Sequence, residues 1–131
     1  MKVKLLEIYE YEKEYPKVGP TVDGRIVGDD ISNTDSIRAS LYNYIVCDDL
    51  REIPILAFED NGKPSFYSIR EKERVEELAN DIKISGRIDP LIVVIDEEGL
   101  YVLEGSHRFD ALKLLDAKSF PALLVVDTDT E

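Results

Sequence analysis

The sequence has 131 residues, with 28 Asp and Glu against 16 Lys and Arg, so its formal net charge is −12. Hydrophobic residues make up 44%, and 7 Gly and 6 Pro are present, which is a globular composition rather than a low-complexity or fibrous one. One cysteine and one histidine exclude an internal disulfide and a four-cysteine zinc site. No apolar run approaches the about 20 residues of a membrane-spanning helix. Together these features predict a cytoplasmic protein with no membrane partner.

The charge also bears on macromolecular partners. Twelve excess negative charges repel the phosphate backbone, which dominates the affinity of proteins for nucleic acid. We therefore expect nucleic acid to be a disfavoured partner for this chain, although a local basic patch stays open. Composition does not decide the oligomeric state, so a homo-oligomer also stays open.

The first half of the chain is weakly patterned. Residues 1–15 alternate loosely and favour a strand or an irregular arm. The Asp23-Gly24 pair then predicts a small hairpin. A short helix capped by Asn33 is expected next, followed by a strand over residues 51–58.

The second half is patterned more clearly. Ser68 and Glu71 fit a capping box at the start of a helix, and Gly86 is placed to end that helix in the left-handed conformation. The charged run at residues 71–77 is expected to face solvent, while the short β-branched run at residues 91–95 is typical of a buried strand. A turn, a strand, a helix and a last strand should follow, over residues 96–99, 101–103, 105–115 and 121–126.

The junction between the second strand and the following helix carries the residues suited to chemistry. Gly105 lets the backbone turn and approach a ligand, Ser106 is expected to cap the helix, and the first-turn amides with the helix dipole form an anion site. Arg108 offers a fork for phosphate, His107 can donate to a phosphate oxygen or move a proton, and Glu104 can bind Mg²⁺ or accept a proton. The same pattern is explained by a turn and a helix cap, with His107 and Arg108 solvated. The motif by itself therefore does not decide between a functional site and a purely structural turn.

Three segments in a fixed order add a family resemblance. Residues 86–93 fit the pattern Gly-x-x-x-Pro followed by an apolar strand, residues 105–111 fit Gly-x-x-Arg-x-x-Ala, and residues 117–121 fit Ala-Lys-x-x-Pro. This arrangement resembles the ParB/sulfiredoxin-like superfamily. The resemblance implies a single α+β domain in which helices pack on a small mixed sheet. It also implies a nucleotide-binding core at residues 51–131, with residues 1–50 as an N-terminal extension that packs on the core.

Three kinds of superfamily member bear on the function. Sulfiredoxins carry a catalytic cysteine where this chain has Ser106, so that activity is disfavoured. Partition proteins of the ParB type bind and hydrolyse CTP with a Gly-Glu-Arg-Arg motif, in which His107 replaces the first Arg. Free serine kinases carry an acid-Gly-His-His-Arg motif that residues 104–108 match except at Ser106.

The resemblance implies a phosphate cradle for a nucleotide, formed by Gly105, Ser106, His107 and Arg108. Arg70 lies near a position from which an Arg of many members points at the same cleft, although a solvated side chain at a helix start explains Arg70 equally well. Glu104 and His107 are the expected catalytic groups, and Glu104 the expected Mg²⁺ ligand.

The function expected first is therefore the binding of ATP, ADP or CTP with Mg²⁺, by an NTPase or a phosphotransferase that acts on a small hydroxyl-bearing substrate. Two alternatives stay open. One is a DNA-associated partition or nuclease module of the ParB type, and the other is a regulatory domain that has lost catalysis.

Overall fold

The computed structural model describes residues 7–31, 33–58 and 69–129. The helices in these ranges are α1 (Ile8–Glu14), α2 (Asp35–Ser40), α3 (Ile69–Ser85) and α4 (Ser106–Leu114), with a 3-10 turn at Ile55–Ala57. The strands are β1 (Thr21–Val22), β2 (Arg25–Val27), β3 (Tyr44–Val46), β4 (Arg51–Pro54), β5 (Arg87–Ile88), β6 (Leu91–Asp96), β7 (Gly99–Glu104) and β8 (Ser119–Asp127).

The strands of the described ranges form two mixed sheets. In the larger sheet β8 pairs with β6 in parallel and with both β3 and β4 in antiparallel orientation, and β7 pairs with β6 as an antiparallel hairpin. The smaller sheet has the order β1-β2-β5. This mixed architecture, with helices against the sheet, confirms the expected α+β domain.

Strand β6 is the centre of the core because both of its faces are covered. Leu91, Val93 and Ile95 belong to the larger apolar cluster, which includes residues of α3 and α4. Ile92 and Val94 point to the opposite face and belong to a second cluster, which includes residues of α2. The uninterrupted apolar run of β6 is therefore explained by burial on both faces, as expected for a parallel strand.

Three aromatic rings are in contact where α4 packs on the first residues of β8. The Phe120 ring is fully buried and lies 6.0 Å from the Phe58 ring and 5.7 Å from the Phe109 ring, centroid to centroid. The Phe58 and Phe109 centroids are 4.8 Å apart. These distances suit favourable aromatic contacts, so the cluster fixes α4 against the sheet.

Arg51 attaches the N-terminal part of the chain to the sheet. Its guanidinium is largely buried and donates to the backbone oxygens of Asp48, Glu12 and Tyr15. A buried guanidinium is tolerated because these carbonyls satisfy its donors. The division of the chain at residue 50 stays a prediction, but Arg51 joins β4 to the C-terminal end of α1 by hydrogen bonds.

Several local expectations are confirmed. The Asp23-Gly24 turn joins β1 to β2. Gly86 ends α3 with a φ of +66°, and its amide donates to the Ile82 carbonyl at 2.9 Å. Ser68, the first residue of the expected capping box, lies outside the described residues. No helix within the described ranges is long and apolar enough to cross a membrane.

Two expectations for the first half are wrong. Residues 8–14 form a helix rather than a strand, because Ile8, Tyr11 and Tyr15 are spaced for one helical face and pack into the core. Asn33 does not cap α2. Thr34 directly precedes the helix and makes no side-chain cap, while Asn33 has a φ of +58° and its side-chain amide donates to Glu104. The strand expected over residues 51–58 is confirmed only as far as Pro54.

We predict that Phe120→Ala lowers the free energy of unfolding by about 3–5 kcal/mol, because it leaves a cavity between the Phe58 and Phe109 rings. Urea unfolding followed by circular dichroism measures the change. Ile84→Ala is the control, since Ile84 is 76% exposed and its truncation should change stability by less than about 0.5 kcal/mol. Equal losses in the two variants would show that the aromatic cluster does not hold the fold.

Candidate functional site

The junction between β7 and α4 is shaped by Gly105. Its φ is +101°, in a region that residues with a Cβ rarely adopt. A Cβ built on Gly105 would also lie 2.8 Å from Cγ of Leu91, the first residue of β6. Glycine is therefore required twice at this position, once for the turn and once for the close approach of the backbone to β6.

Helix α4 begins directly after this turn and presents its first amides there. The Phe109 amide donates to the Gly105 carbonyl at 2.8 Å, so the amides of Ser106, His107 and Arg108 belong to the first turn, which has no intrahelical acceptors for them. The expected cap is wrong: Gly105 occupies the cap position without a side-chain bond, and Ser106 is already helical. The exposed Ser106 hydroxyl is therefore not used as a cap of α4.

A cleft of about 560 Å³ lies over this junction. It contains all five residues of the motif at positions 104–108, together with residues that α3 contributes from the other side: Arg74, Glu77, Leu78 and Asp81. The tertiary structure thus brings the motif together with one face of α3. Arg70 does not line this cleft but lies in a neighbouring hollow on α3.

The charged residues at positions 72–74, 76 and 77 are exposed, as expected, but the sequence analysis did not predict that this face of α3 borders the cleft. A signal was present in the spacing, since positions 74, 77, 78 and 81 recur at intervals of three and four and share one helical face. The pattern alone does not say what that face contacts, because the partner helix α4 lies about 30 residues further along the chain.

Arg108 is held at the base of the cleft by the backbone. Its Nη1 donates to the carbonyl oxygens of Asp89 and Pro90, at 3.3 and 3.2 Å. These bonds engage one end of the guanidinium, which has five N–H donors in all, and restrict the side chain before a ligand arrives. Phosphate binding by Arg108 stays a prediction, but the side chain is in place for it.

His107 connects α4 to α3 through Glu71. The His107 Nε2 atom forms a hydrogen bond with Oε2 of Glu71. This hydrogen bond, together with the charge of His107, holds the pKa of Glu71 below its usual value, while partial burial opposes the shift. The pair restrains the imidazole at the edge of the cleft, so any phosphate contact by His107 would be made from a fixed ring.

Glu104 is held from a third direction. Its Oε1 accepts a hydrogen bond from Nδ2 of Asn33 at 2.8 Å and another from Oγ of Ser36. Neither partner could be predicted from the sequence, because both lie about 70 positions before Glu104. The local sequence pattern around Glu104 does not indicate a contact with residues so far away along the chain.

The cleft has mixed charge. Two guanidinium groups, Arg74 and Arg108, face three carboxylates, Glu77, Asp81 and Glu104, with His107 beside them. A highly charged anion such as a triphosphate would be repelled by the carboxylates unless a cation accompanied it. The donor set thus favours a nucleotide that carries a divalent cation over the free anion.

Glu104 is the expected Mg²⁺ ligand. Among the described residues no group of three His, Cys, Asp or Glu side chains is placed to hold a metal ion by itself. However, Mg²⁺ in nucleotide sites commonly takes one or two carboxylates and completes its shell with phosphate oxygens and water. The Glu104 carboxylate at the cleft fits that smaller role.

Cys47 does not belong to the site. It is 2% exposed, and burial is the main cause that raises its pKa to about 11. A thiol with that pKa is a poor nucleophile at neutral pH. The expectation that Cys47 is a buried apolar residue rather than a catalytic one agrees with this environment.

Comparison with known proteins places these features in a family. The model of the ParB N-terminal domain matches residues 43–131, which include β3 to β8 and the whole junction. A nucleoid occlusion protein of Halalkalibacterium halodurans is 40% identical over 65 residues, covering 49% of this chain and 23% of that protein. The nucleoid occlusion proteins of Bacillus thuringiensis and Bacillus mycoides are 34% identical over 90 residues, covering 66% of this chain and 30% of theirs. The chain thus spans less than a third of the length of these relatives.

The expectation that nucleic acid is a disfavoured partner is wrong. It was drawn from the net charge, whereas the relatives are nucleoid occlusion proteins, named for the DNA-containing body of the bacterial cell. A net charge sums over a whole surface and over one chain, so it does not report on a local contact or on the remainder of a longer relative.

Gly105→Ala should destabilise the fold more than Gly99→Ala does. Both glycines have positive φ, at +101° and +121°, but a Cβ at Gly99 meets no atom within 4 Å. The two variants therefore share the backbone strain, and the contact with Leu91 should make Gly105→Ala worse by about 1–3 kcal/mol. Chemical denaturation of both variants checks this, and equal losses would refute the close approach to Leu91.

The pKa of Glu71 should rise toward its ordinary value in His107→Ala, because the hydrogen bond that lowers it is lost. A carboxyl whose folded pKa is depressed stabilises the fold above its unfolded pKa, and this contribution is lost as the pH falls through the folded pKa. The stability difference between the wild type and His107→Ala should therefore shrink below about pH 4.5, the model-peptide range for Glu. NMR titration of the Glu71 carboxyl measures the shift, and an unchanged pKa would contradict the assigned pair.

Proposed function

Because the chain belongs to the ParB N-terminal domain family, we propose that it is the nucleotide-binding module of a DNA-associated partition or nucleoid occlusion protein. The observation that carries the proposal is the family match over residues 43–131, which contains the strand-Gly-Ser-His-Arg-helix junction and its cleft. In this proposal the module acts in the bacterial cytoplasm, where the nucleoid lies.

The cleft supports a nucleotide ligand. Its volume of about 560 Å³ falls within the about 300–1,000 Å³ common for small-molecule sites. The first-turn amides of α4 would bind phosphate oxygens, and the guanidinium groups of Arg108 and Arg74 would offset the phosphate charge. We propose CTP as the first candidate, on the resemblance to ParB-type partition proteins, and ATP and ADP as the alternatives.

Mg²⁺ would arrive with the nucleotide, and Glu104 would hold it from the protein side. When bound, the ion would neutralise phosphate charge and favour phosphoryl chemistry. The residues of this chain would position the ligand: the α4 amides and Arg108 would orient the phosphates, and the ring of His107, held by Glu71, would contact them from the edge of the cleft.

The relatives favour this function over the phosphotransferase expected first. Nucleoid occlusion proteins match the alternative of a DNA-associated module, whereas nothing in the comparisons favours a small hydroxyl-bearing substrate. Roles of Glu104 and His107 in hydrolysis therefore stay predictions, secondary to nucleotide binding.

We expect the chain to bind at least one of CTP, ATP and ADP in the presence of Mg²⁺, and Arg108→Ala to weaken that binding by about tenfold or more, since hydrogen bonds to charged groups contribute about 1.5–3 kcal/mol. Calorimetric titration of each nucleotide measures the affinity. Arg38→Ala is the matched control, because Arg38 is exposed on α2 and pairs with Asp35, away from the cleft.

Melting curves of each variant separate lost binding from lost folding, because Arg108 also supports the backbone of residues 89 and 90. Arg108→Lys keeps the charge without the fork and should bind with intermediate affinity. Absence of binding by the wild type, or equal affinity of the wild type and Arg108→Ala, would overturn the nucleotide assignment. A fluorescent fusion of the native protein should be found over the nucleoid, and an even cellular distribution would overturn the DNA-associated role.

A further inference from the structure

Glu104 is fixed by a segment that precedes the family match. Asn33 Nδ2 donates to Glu104 Oε1 at 2.8 Å, and Ser36 Oγ donates to the same oxygen. Both donors lie before residue 43, where the match to the ParB N-terminal domain begins. The contact is therefore supplied to the motif by a part of the chain outside the matched domain.

Helix α2 is anchored to the sheet, so the contact is not a chance encounter of mobile side chains. Ile37 is 5% exposed and Leu41 9%, and both pack with Ile92, Val94 and Val125 on the face of the sheet opposite α3 and α4. Ser36 precedes Ile37 directly. Burial of that neighbour therefore determines where the Ser36 hydroxyl lies.

The turn before α2 is shaped to present Asn33 as well. Asn33 has a φ of +58°, a conformation that asparagine tolerates better than most residues. Its carbonyl accepts the Ser36 amide at 3.0 Å, and the Thr34 carbonyl accepts the Ile37 amide at 3.1 Å. This compact turn brings the Asn33 amide and the Ser36 hydroxyl to the same carboxylate oxygen.

We infer that Asn33 and Ser36 are positioning residues for Glu104, which hold its carboxylate at the cleft for a divalent cation bound with the nucleotide. The inference rests on the proposed function. Carboxylates that bind metal ions are commonly oriented by hydrogen bonds from a surrounding shell of residues. Both donors are uncharged, so they orient the carboxylate without neutralising the charge that attracts the cation.

The proposed role of Asn33 and Ser36 differs from that of the residues that form the phosphate cradle. Ser36 and Asn33 do not line the cleft, so they should affect the cation and leave direct phosphate contacts unchanged. We therefore expect Ser36→Ala and Asn33→Ala to lower the nucleotide affinity measured with Mg²⁺ by about tenfold. The affinity measured in EDTA should stay the same.

The decisive comparison is a double-mutant cycle with Glu104→Gln. If Ser36 acts through Glu104, adding Ser36→Ala to Glu104→Gln should cost little further affinity in Mg²⁺. Ser36→Thr keeps a hydroxyl and should restore most of the affinity, and Ser40→Ala at the far end of α2 should match the wild type. The inference would be overturned if the fold-loss of affinity in the double mutant equalled the product of the two single-mutant losses. It would also be overturned if Ser36→Ala lowered the affinity equally with Mg²⁺ and with EDTA.

Mn²⁺ with inorganic triphosphate provides a readout that does not require a nucleotide, because phosphate oxygens supply the ligands that Glu104 alone cannot. Binding of this Mn²⁺ complex to the whole chain, followed by electron paramagnetic resonance, should weaken in both Glu104→Gln and Ser36→Ala. If the wild type binds no nucleotide but shows this pattern, the proposed function fails and the positioning role stands. If Mn²⁺ binds equally to the wild type and both variants, the positioning role is overturned whatever the nucleotide result.

Discussion

The packing of Gly105 against Leu91 is the constraint on which the rest of the site depends. Pairing of β6 with β7 extends to Ile92 and Glu104, and a Cβ on Gly105 would meet the Leu91 side chain, so glycine lets α4 begin immediately beside the sheet. The first-turn amides of α4 are thereby placed at the edge of the domain, over the cleft shared with α3. The same approach brings the Arg108 side chain onto the carbonyls of the segment that leads into β6.

Each ionisable side chain of the motif is held by its own hydrogen-bond partners. The backbone before β6 holds Arg108, Glu71 of α3 holds His107, and the turn before α2 holds Glu104. Three separate elements thus restrict three side chains of the candidate site, and restraint of this kind would lower the entropy that a ligand must remove on binding. Support of this kind is expected where a charged ligand is bound by a few groups and their orientation matters.

Net charge was a poor guide to partners in this protein. The value of −12 describes the whole surface, whereas the cleft combines guanidinium groups, carboxylates and helix amides within one small volume. The acidic chain belongs to the ParB N-terminal domain family, and its relatives include nucleoid occlusion proteins. Local arrangement of charges, rather than their sum, decides what such a surface binds.

The sequence by itself determined the features that depend on neighbouring residues. The apolar run of β6, the left-handed end of α3 at Gly86 and the turn at Gly105 follow from periodicity and from the conformational freedom of glycine, so they could be predicted. The helix at residues 8–14 was missed because its apolar spacing is brief and ambiguous. The contacts of Glu104 with Asn33 and Ser36, of His107 with Glu71, and of the cleft with one face of α3 were decided by the tertiary structure alone. They join residues 23 to 71 positions apart, and only the packing of helices on the two faces of β6 brings those positions together.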